Sequence, residues 1–294
     1  MKFFLNKLNK TAYSTNSYLK KFFLKQKNKS YLLKPMKYGV FPGGKRFRSA
    51  MVVNTGKIYS LDYKKLIVIG SAIECIHSYS LIHDDLPAMD NDNFRRGKLS
   101  THKKFNEYTA ILAGNSLLTL AFEILSSKKL KLSEKIKNTL INKLSNCVGY
   151  LGLAGGQYFD LTYENKKILK KKIINMQKKK TGEIFGFCCE SIAIIKGLKT
   201  KERKKLKDIG INIGLLFQIV DDLIDHKGDS KIAGKTTKKD KRKGKATLVN
   251  LLGYKNTIIY ANKLKKKIEL QIKKYGKKSK DLSDSLEFIL KRKF

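Results

Sequence analysis

The sequence predicts an all-α fold, and three observations carry that expectation. Only three prolines occur in 294 residues, Pro35, Pro42 and Pro87, so the stretch from Leu99 onward can run in long unbroken helices. Apolar residues recur at three- and four-residue steps through the longest patterned segments. Alternating apolar and polar runs, the mark of strands, are few and short.

Taken in order, helices are expected over 7–27, 44–58 and 65–86. The last of these carries Leu66, Ile69, Ala72, Ile73, Ile76 and Leu81 at helical spacing and is stopped by Pro87. Further helices are expected over 107–127, through Ile111, Leu112, Leu117, Leu118, Leu120 and Phe122, and over 134–151 and 167–194. The segment 206–224 places Ile209, Ile213, Leu216, Ile219, Val220 and Leu223 on one side, and 244–273 and 281–291 complete the set. Helices that are apolar on most sides must be covered by neighbours, which favours a thick helical assembly. No internal repeat or composition break divides the chain, so a single domain over 1–294 is expected, with Gly228–Lys245 as its best loop candidate.

The net charge of +40 invites a nucleic-acid reading. Its distribution argues against one. Of 64 basic residues only seven are arginine, and the lysines are spread through almost every block instead of forming a stripe. Weak nonspecific attraction to polyanions follows from such a charge, but no specific nucleic-acid or membrane partner does. The four cysteines lack metal-ligand spacing and read as buried thiols of a cytosolic protein. No apolar run is expected to span a membrane, and the opening MKFFLNKLNK lacks the long apolar core of a secretory signal.

Charge becomes informative where it is concentrated. No carboxylate precedes Asp62, yet Asp84, Asp85, Asp90 and Asp92 fall within nine residues and are followed by Arg95 and Arg96. A second acidic cluster, FQIVDDLID from Phe217 to Asp225, sets Asp221 and Asp225 four apart on one helical face with Asp222 beside them. Such repulsion calls for a counterion, and magnesium prefers carboxylate, water and phosphate oxygens. GGKRFR, from Gly43 to Arg48, adds flexible backbone and three cations, while His77 lies seven residues before Asp84 on the same helical face. Each feature alone also fits a bland reading: a solvated acidic turn, a basic helix start, a packed histidine. Together, two acidic sites and two arginine-bearing motifs require a ligand with several anionic oxygens, such as a diphosphate. A phosphate hydrolase could use the same groups. The absence of an evident nucleophile or acid–base pair, with apolar helical walls, points instead to carbocation chemistry.

These motifs resemble those of the trans-isoprenyl diphosphate synthases, the bacterial short-chain farnesyl diphosphate synthases in particular. GGKRFR matches the early substrate motif, DDLPAMD the first aspartate-rich motif and FQIVDDLID the second, with AGGQYFDL, KTG and GKTTKKDKRKGKATLVNLLG in family order. The resemblance runs from about Met36 to Arg292. It implies an isoprenyl-synthase-like helical assembly around a deep central cavity, usually a cytoplasmic homodimer, with the two acidic motifs facing each other.

By the same resemblance Asp84, Asp90 and Asp221 bind Mg²⁺, three ions in the family's usage, with Asp85 and Asp225 in support. Arg95, Lys180, Thr181, Gln218 and Lys235 match the allylic diphosphate region. Lys45, Arg48, His77 and Arg96 match the isopentenyl diphosphate site, and Phe217 and Lys245 are further candidates. The implied catalytic set is Asp84, Asp90, Arg95, Lys180 and Asp221. The basic segment LKRKF is implied to lie near the active-site entrance.

The implied reaction joins isopentenyl diphosphate first to dimethylallyl and then to geranyl diphosphate, giving farnesyl diphosphate. Tyr79 and Ser80, five and four residues before Asp84, match the positions that set chain length, and a bulky Tyr79 matches a C15 pocket. A geranylgeranyl diphosphate synthase, a catalytically degraded relative and a basic binding protein are the alternatives. Departures from the family pattern are Ser49 for proline, Asn93 and Asn115 for acids, Tyr158 for alanine, Gln177 for histidine, Glu183 for a small residue, and Leu248–Val249 for Tyr-Pro. Tyr158 and Glu183 are expected to perturb helix packing.

Overall fold

The computed structural model describes residues 1–25, 31–41, 44–228 and 244–292. It is helical nearly throughout, as the proline distribution and periodicity predict, and divides into two compact units. One comprises residues 2–56 and 60–141; the other comprises Met1, 57–59 and 142–294.

The first unit contains α1 (Lys2–Leu24), α2 (Leu33–Val40), most of α3 (Phe47–Ile58), α4 (Tyr63–Asp84), a hairpin of β1 (Phe94–Arg95) and β2 (Lys98–Leu99), α5 (Thr101–Lys104), α6 (Glu107–Ser126) and the opening of α7 (Glu134–Val148). Helix α4 is its spine. Asp62 caps it by accepting from the Lys65 N–H at 3.0 Å, and α1 and α6 pack against it. Leu66, Ile69, Ile73 and Ile76 are buried, each worth roughly 1.5–3 kcal/mol of hydrophobic stabilisation. Gly114 lets α6 approach closely, because a Cβ there would lie 2.2 Å from His83 Nε2.

One acid sits among these apolar residues. Glu74 is buried, and the buried Arg46 reaches it through Nη1 at 3.4 Å while donating to the Val40 carbonyl at 2.8 Å and to Asn16 Oδ1 at 2.9 Å. Ser49 completes the knot: its N–H donates to Glu74 at 3.2 Å and its hydroxyl shares a 2.8 Å hydrogen bond with Thr15. A proline at this position could not make the first of these bonds, which gives the departure at Ser49 a structural role.

The second unit contains the end of α7, α8 (Leu153–Thr162), α9 (Lys170–Gln177), a π-helical turn (Lys178–Gly182), α10 (Glu183–Ile195), α11 (Thr200–Lys227), α12 (Leu248–Leu252), α13 (Tyr254–Lys273) and α14 (Lys280–Leu290). Helices α10 and α11 touch backbone to backbone at Gly210, where a Cβ would fall 2.3 Å from the Phe185 carbonyl oxygen. Phe185, Phe187, Leu206, Ile213, Leu216 and Leu223 form the core of the unit.

Several expectations need correction. The single helix predicted over 167–194 is α9 and α10 joined by the wide turn at 178–182. The helix predicted over 244–273 begins at Leu248 and breaks at Gly253, whose φ of 78° favours glycine. Helices α2 and α8 were not expected. Tyr158 does not perturb packing, because its ring is exposed, and Glu183 is accommodated by an ion pair with Lys207 at 2.9 Å. Leu248 and Val249 are buried core residues. Helices α4 and α6 are long and apolar enough to cross a membrane by length and composition, contrary to the sequence reading, although most of α4 is covered within the fold. The four cysteines are buried free thiols, as expected.

Candidate active site

In the first unit, the end of α4 delivers Asp84 and Asp85, and the chain then turns back on itself. The Asp90 N–H donates to the Asp84 carbonyl at 2.8 Å, the Asp92 N–H to the Asp85 carbonyl at 3.1 Å and the Asn91 N–H to the Leu86 carbonyl at 3.0 Å. This closed loop draws Asp90 back to Asp84, which six residues of extended chain would have separated. Asp84 and Asp90 are half-buried, whereas Asp85 and Asp92 are buried and face Arg95. Arg95 donates to both Asp85 oxygens, through Nε at 3.0 and 3.3 Å, and approaches Asp92 at 3.5 Å. Burial raises the Asp85 pKa and Arg95 opposes that rise. Asp85 therefore orients an arginine.

The hairpin after this loop turns through Arg96 and Gly97, both at positive φ, and Arg95 pairs with Lys98 across it. Arg96 lies over Gly44, whose absent Cβ would stand 3.1 Å from the guanidinium carbon. Burial lowers the His77 pKa well below the ordinary range, and Arg48, Arg96, Arg46 and Arg95 lower it further. Burial and the neighbouring arginines 46, 95 and 48 also lower Arg96, against the pull of Glu74. Several guanidiniums thus surround one imidazole, an environment that an anionic ligand would stabilise. Lys45 is exposed.

Tyr79 projects one turn above Asp84 and packs edge-on against His83, with ring centroids 4.8 Å apart. His83 Nε2 in turn lies 3.1 Å from the Ile111 carbonyl. The Ser80 hydroxyl donates to its own helix at the His77 carbonyl.

In the second unit, the π turn carries Lys180 and Thr181 against α8 and α11. Gly156 makes room for it, since a Cβ there would meet the Lys180 backbone nitrogen at 2.1 Å. Lys180 Nζ donates to Asp160 Oδ2 at 2.7 Å, and Lys245 Nζ reaches the same oxygen at 2.8 Å and Glu164 at 2.9 Å. Burial alone would raise the Asp160 pKa, but the two lysines overcome it and hold the carboxyl down to about 2. Thr181 donates to Gln218 Oε1 at 2.8 Å, Gln218 donates to Asp222 Oδ1 at 2.8 Å, and Gln177 donates to Asp222 Oδ2 at 2.7 Å. This chain of hydrogen bonds ties the π turn to α11. On the same helix Asp225 is buried, while Asp221 is partly exposed and meets Arg292 at 2.6 Å.

A family model described as polyprenyl synthetase matches residues 29–287. The chain is 42% identical over 224 residues to a farnesyl diphosphate synthase of Micrococcus luteus, covering 76% of each chain. It is 37% identical over 254 residues to the farnesyl diphosphate synthase of Escherichia coli, covering 86% of this chain and 85% of the other. The chain belongs to the polyprenyl synthetase family. Among solved structures, an apo FPP/GFPP synthase from Zymomonas mobilis matches with a TM-score of 0.86 at 36% identity, covering 98% of this chain and 100% of that one. A Helicobacter pylori geranyltransferase, complexed with magnesium and isoprenyl diphosphate, matches with a TM-score of 0.84 at 33% identity, covering 98% and 96%.

The structure brings together Asp84 with Asp90, Arg48 and Arg96 with His77, and Lys180, Thr181 and Gln218 around α11. Lys235 lies outside the described residues. Among the described residues, no three acidic, histidine or cysteine side chains form a ready metal cage. The donors present are carboxylate oxygens, which suit magnesium, an ion that takes one or two protein carboxylates and completes its shell with water and phosphate. Three residues of the site were missed by sequence reasoning, Glu74, Asp160 and Gln177 as a donor, whereas Arg292 belongs to the LKRKF segment that the resemblance placed near the entrance. Asp160 and Glu74 carried a usable signal, since acids are scarce in this chain and each lies within a helix facing apolar neighbours.

Proposed function

We propose that this chain makes farnesyl diphosphate by magnesium-dependent, head-to-tail condensation of isopentenyl diphosphate with dimethylallyl and then geranyl diphosphate. The observation that carries the reading is the gathering of Arg48, Arg96 and His77 beside the closed aspartate loop of Asp84 and Asp90, within one compact unit. Asp84, Asp90 and Asp221 are the carboxylates that would hold magnesium, which when bound neutralises the departing diphosphate.

The other residues act by charge and position. Arg95, fixed by Asp85, and Lys180, fixed by Asp160, present oriented cations to the allylic diphosphate, assisted by Thr181, Gln218 and Lys235. Arg48, Arg96, Lys45 and His77 bind the diphosphate of isopentenyl diphosphate. As the allylic C–O bond breaks, the isopentenyl double bond attacks the allylic cation; the new C–C bond forms and a proton is lost, with diphosphate as its acceptor. His77 is a binding residue and not the base, since the released diphosphate takes the proton. Tyr79, braced by His83, limits the product to C15.

The two units act as a single catalytic domain in a soluble, cytoplasmic homodimer. The exposed apolar side chains Tyr108, Ile111 and Leu112 on α6 support a second copy of the chain as its partner. Incubation with dimethylallyl and labelled isopentenyl diphosphates, with Mg²⁺ and with EDTA, tests the reading. A labelled C15 diphosphate formed only with the metal supports it; no condensation by the folded, metal-loaded protein refutes it.

A further inference from the structure

Beyond the last turn of α14 the chain places a cation on the second aspartate motif. Leu282, Leu286, Phe288 and Ile289 bury the inner side of α14, and backbone bonds from Lys291 to the Glu287 carbonyl and from Arg292 to the Ile289 carbonyl continue the turn. Arg292 is thereby aimed at α11. Its Nη2 lies 2.6 Å from Asp221 Oδ1, and its guanidinium carbon sits 4.4 Å from the centre of the Phe217 ring. Phe217 and Asp221 are four residues apart, so the planar cation covers one turn of a single helical face.

The exposure of this pair distinguishes it from a permanent structural bridge. The side chains of Arg46 and Glu74, which hold the first unit together, are 0% and 2% exposed. Those of Arg292 and Asp221 are 23% and 37% exposed, open enough for solvent and ions to reach them. A carboxylate oxygen that accepts from a guanidinium cannot at full strength also ligate a divalent ion, because the two cations repel each other and compete for the same lone pairs.

We propose that Arg292 is an internal stand-in for the metal: it neutralises Asp221 in the metal-free chain, and a divalent ion must displace it to bind there. This rests on the reading of Asp221 as a metal ligand. Loading of the second motif then releases the segment after α14, and any influence holding Arg292 in place weakens metal binding by the same factor.

The test is titration of the full chain with Mn²⁺ alone, followed by electron paramagnetic resonance, for the wild type, Arg292→Gln, Lys291→Gln, Asp221→Asn and the double variant Arg292→Gln/Asp221→Asn. An exposed ion pair reinforced by an aromatic contact predicts that Arg292→Gln tightens one Mn²⁺ site about fivefold. Lys291→Gln removes the same formal charge one residue away and should shift that site by less than about twofold. In the Asp221→Asn background the Arg292 substitution should have no effect. Mn²⁺ should also speed tryptic cleavage after Arg292 in the wild type.

Equal tightening by Arg292→Gln and Lys291→Gln would overturn the inference in favour of a general field effect. So would an Arg292→Gln site indistinguishable from the wild type while Asp221→Asn loses one bound Mn²⁺. If Asp221→Asn keeps every Mn²⁺, the premise itself fails. Metal exchange without any prenyl transfer would instead count against the proposed reaction alone.

Discussion

Replacement of Asp160 by asparagine removes the one charge shared by Lys180 and Lys245. Their ammonium nitrogens lie 2.7 and 2.8 Å from the same carboxylate oxygen, so they are no more than about 5.5 Å apart. Without the carboxylate they repel by about 3 kcal/mol at an effective dielectric constant of about 20, and Lys180, the more exposed, can relieve part of this by swinging out. The titration gives a second measure. A carboxyl held at about 2, against an ordinary 3.8, contributes about 2.5 kcal/mol at neutral pH. Asp160→Asn should therefore destabilise the chain by about 2–4 kcal/mol at pH 7 in urea unfolding followed by circular dichroism.

The sign of the pH dependence is fixed by the direction of the shift. The folded pKa is depressed, so the contribution is complete above the unfolded value and is lost as pH falls from about 4 toward 2. By pH 3 about 1 kcal/mol of the gap between wild type and variant should have closed. A variant within about 0.5 kcal/mol of wild type at pH 7, or a gap that does not change between pH 5 and 3, would refute the shared-carboxylate account.

Three further outcomes are expected. Gly156→Ala forces a Cβ to within 2.1 Å of the Lys180 backbone, so stability should fall by about 1–3 kcal/mol and kcat by more than about tenfold, read by thermal melting and steady-state condensation. Ser49→Pro deletes an N–H donor to buried Glu74 and the hydroxyl facing Thr15, and should cost about 1–3 kcal/mol in urea unfolding. Tyr79→Ala removes the ring packed on His83 and should shift labelled products toward C20 on chromatography, with little change in the first condensation.

The long helices were legible because their apolar spacing survives any tertiary context. Helix α4 is read from Leu66 to Ile76 with its stop at Pro87 within three residues of the observed end. The π turn was not legible. Periodicity continues on both sides of residues 178–182, and the widened turn is stabilised by partners distant in sequence, with Gly156 making space and Asp160 and Gln218 binding its side chains. Helix α8 was hidden because AGGQ reads locally as a loop, and its glycines serve packing instead. In the site, aspartates and arginines announced themselves by scarcity and clustering. What spacing could not convey was which of them bind one another: Asp85 with Arg95, Glu74 with Arg46, and Asp221 with Arg292, the last pair 71 positions apart.

The division of labour between the two basic residue types has a consequence for how such a sequence can drift. The cations that hold a fixed orientation at low exposure are few: among the described residues Arg46, Lys137 and Lys245 are the buried ones. Nearly all the remaining ammonium groups stand in water, where exchanging one polar residue for another alters stability by only a few tenths of a kcal/mol. A mutational pressure toward lysine codons could thus fill the exterior while leaving the reaction chemistry untouched, and redesign of that exterior toward neutrality should be equally permissive.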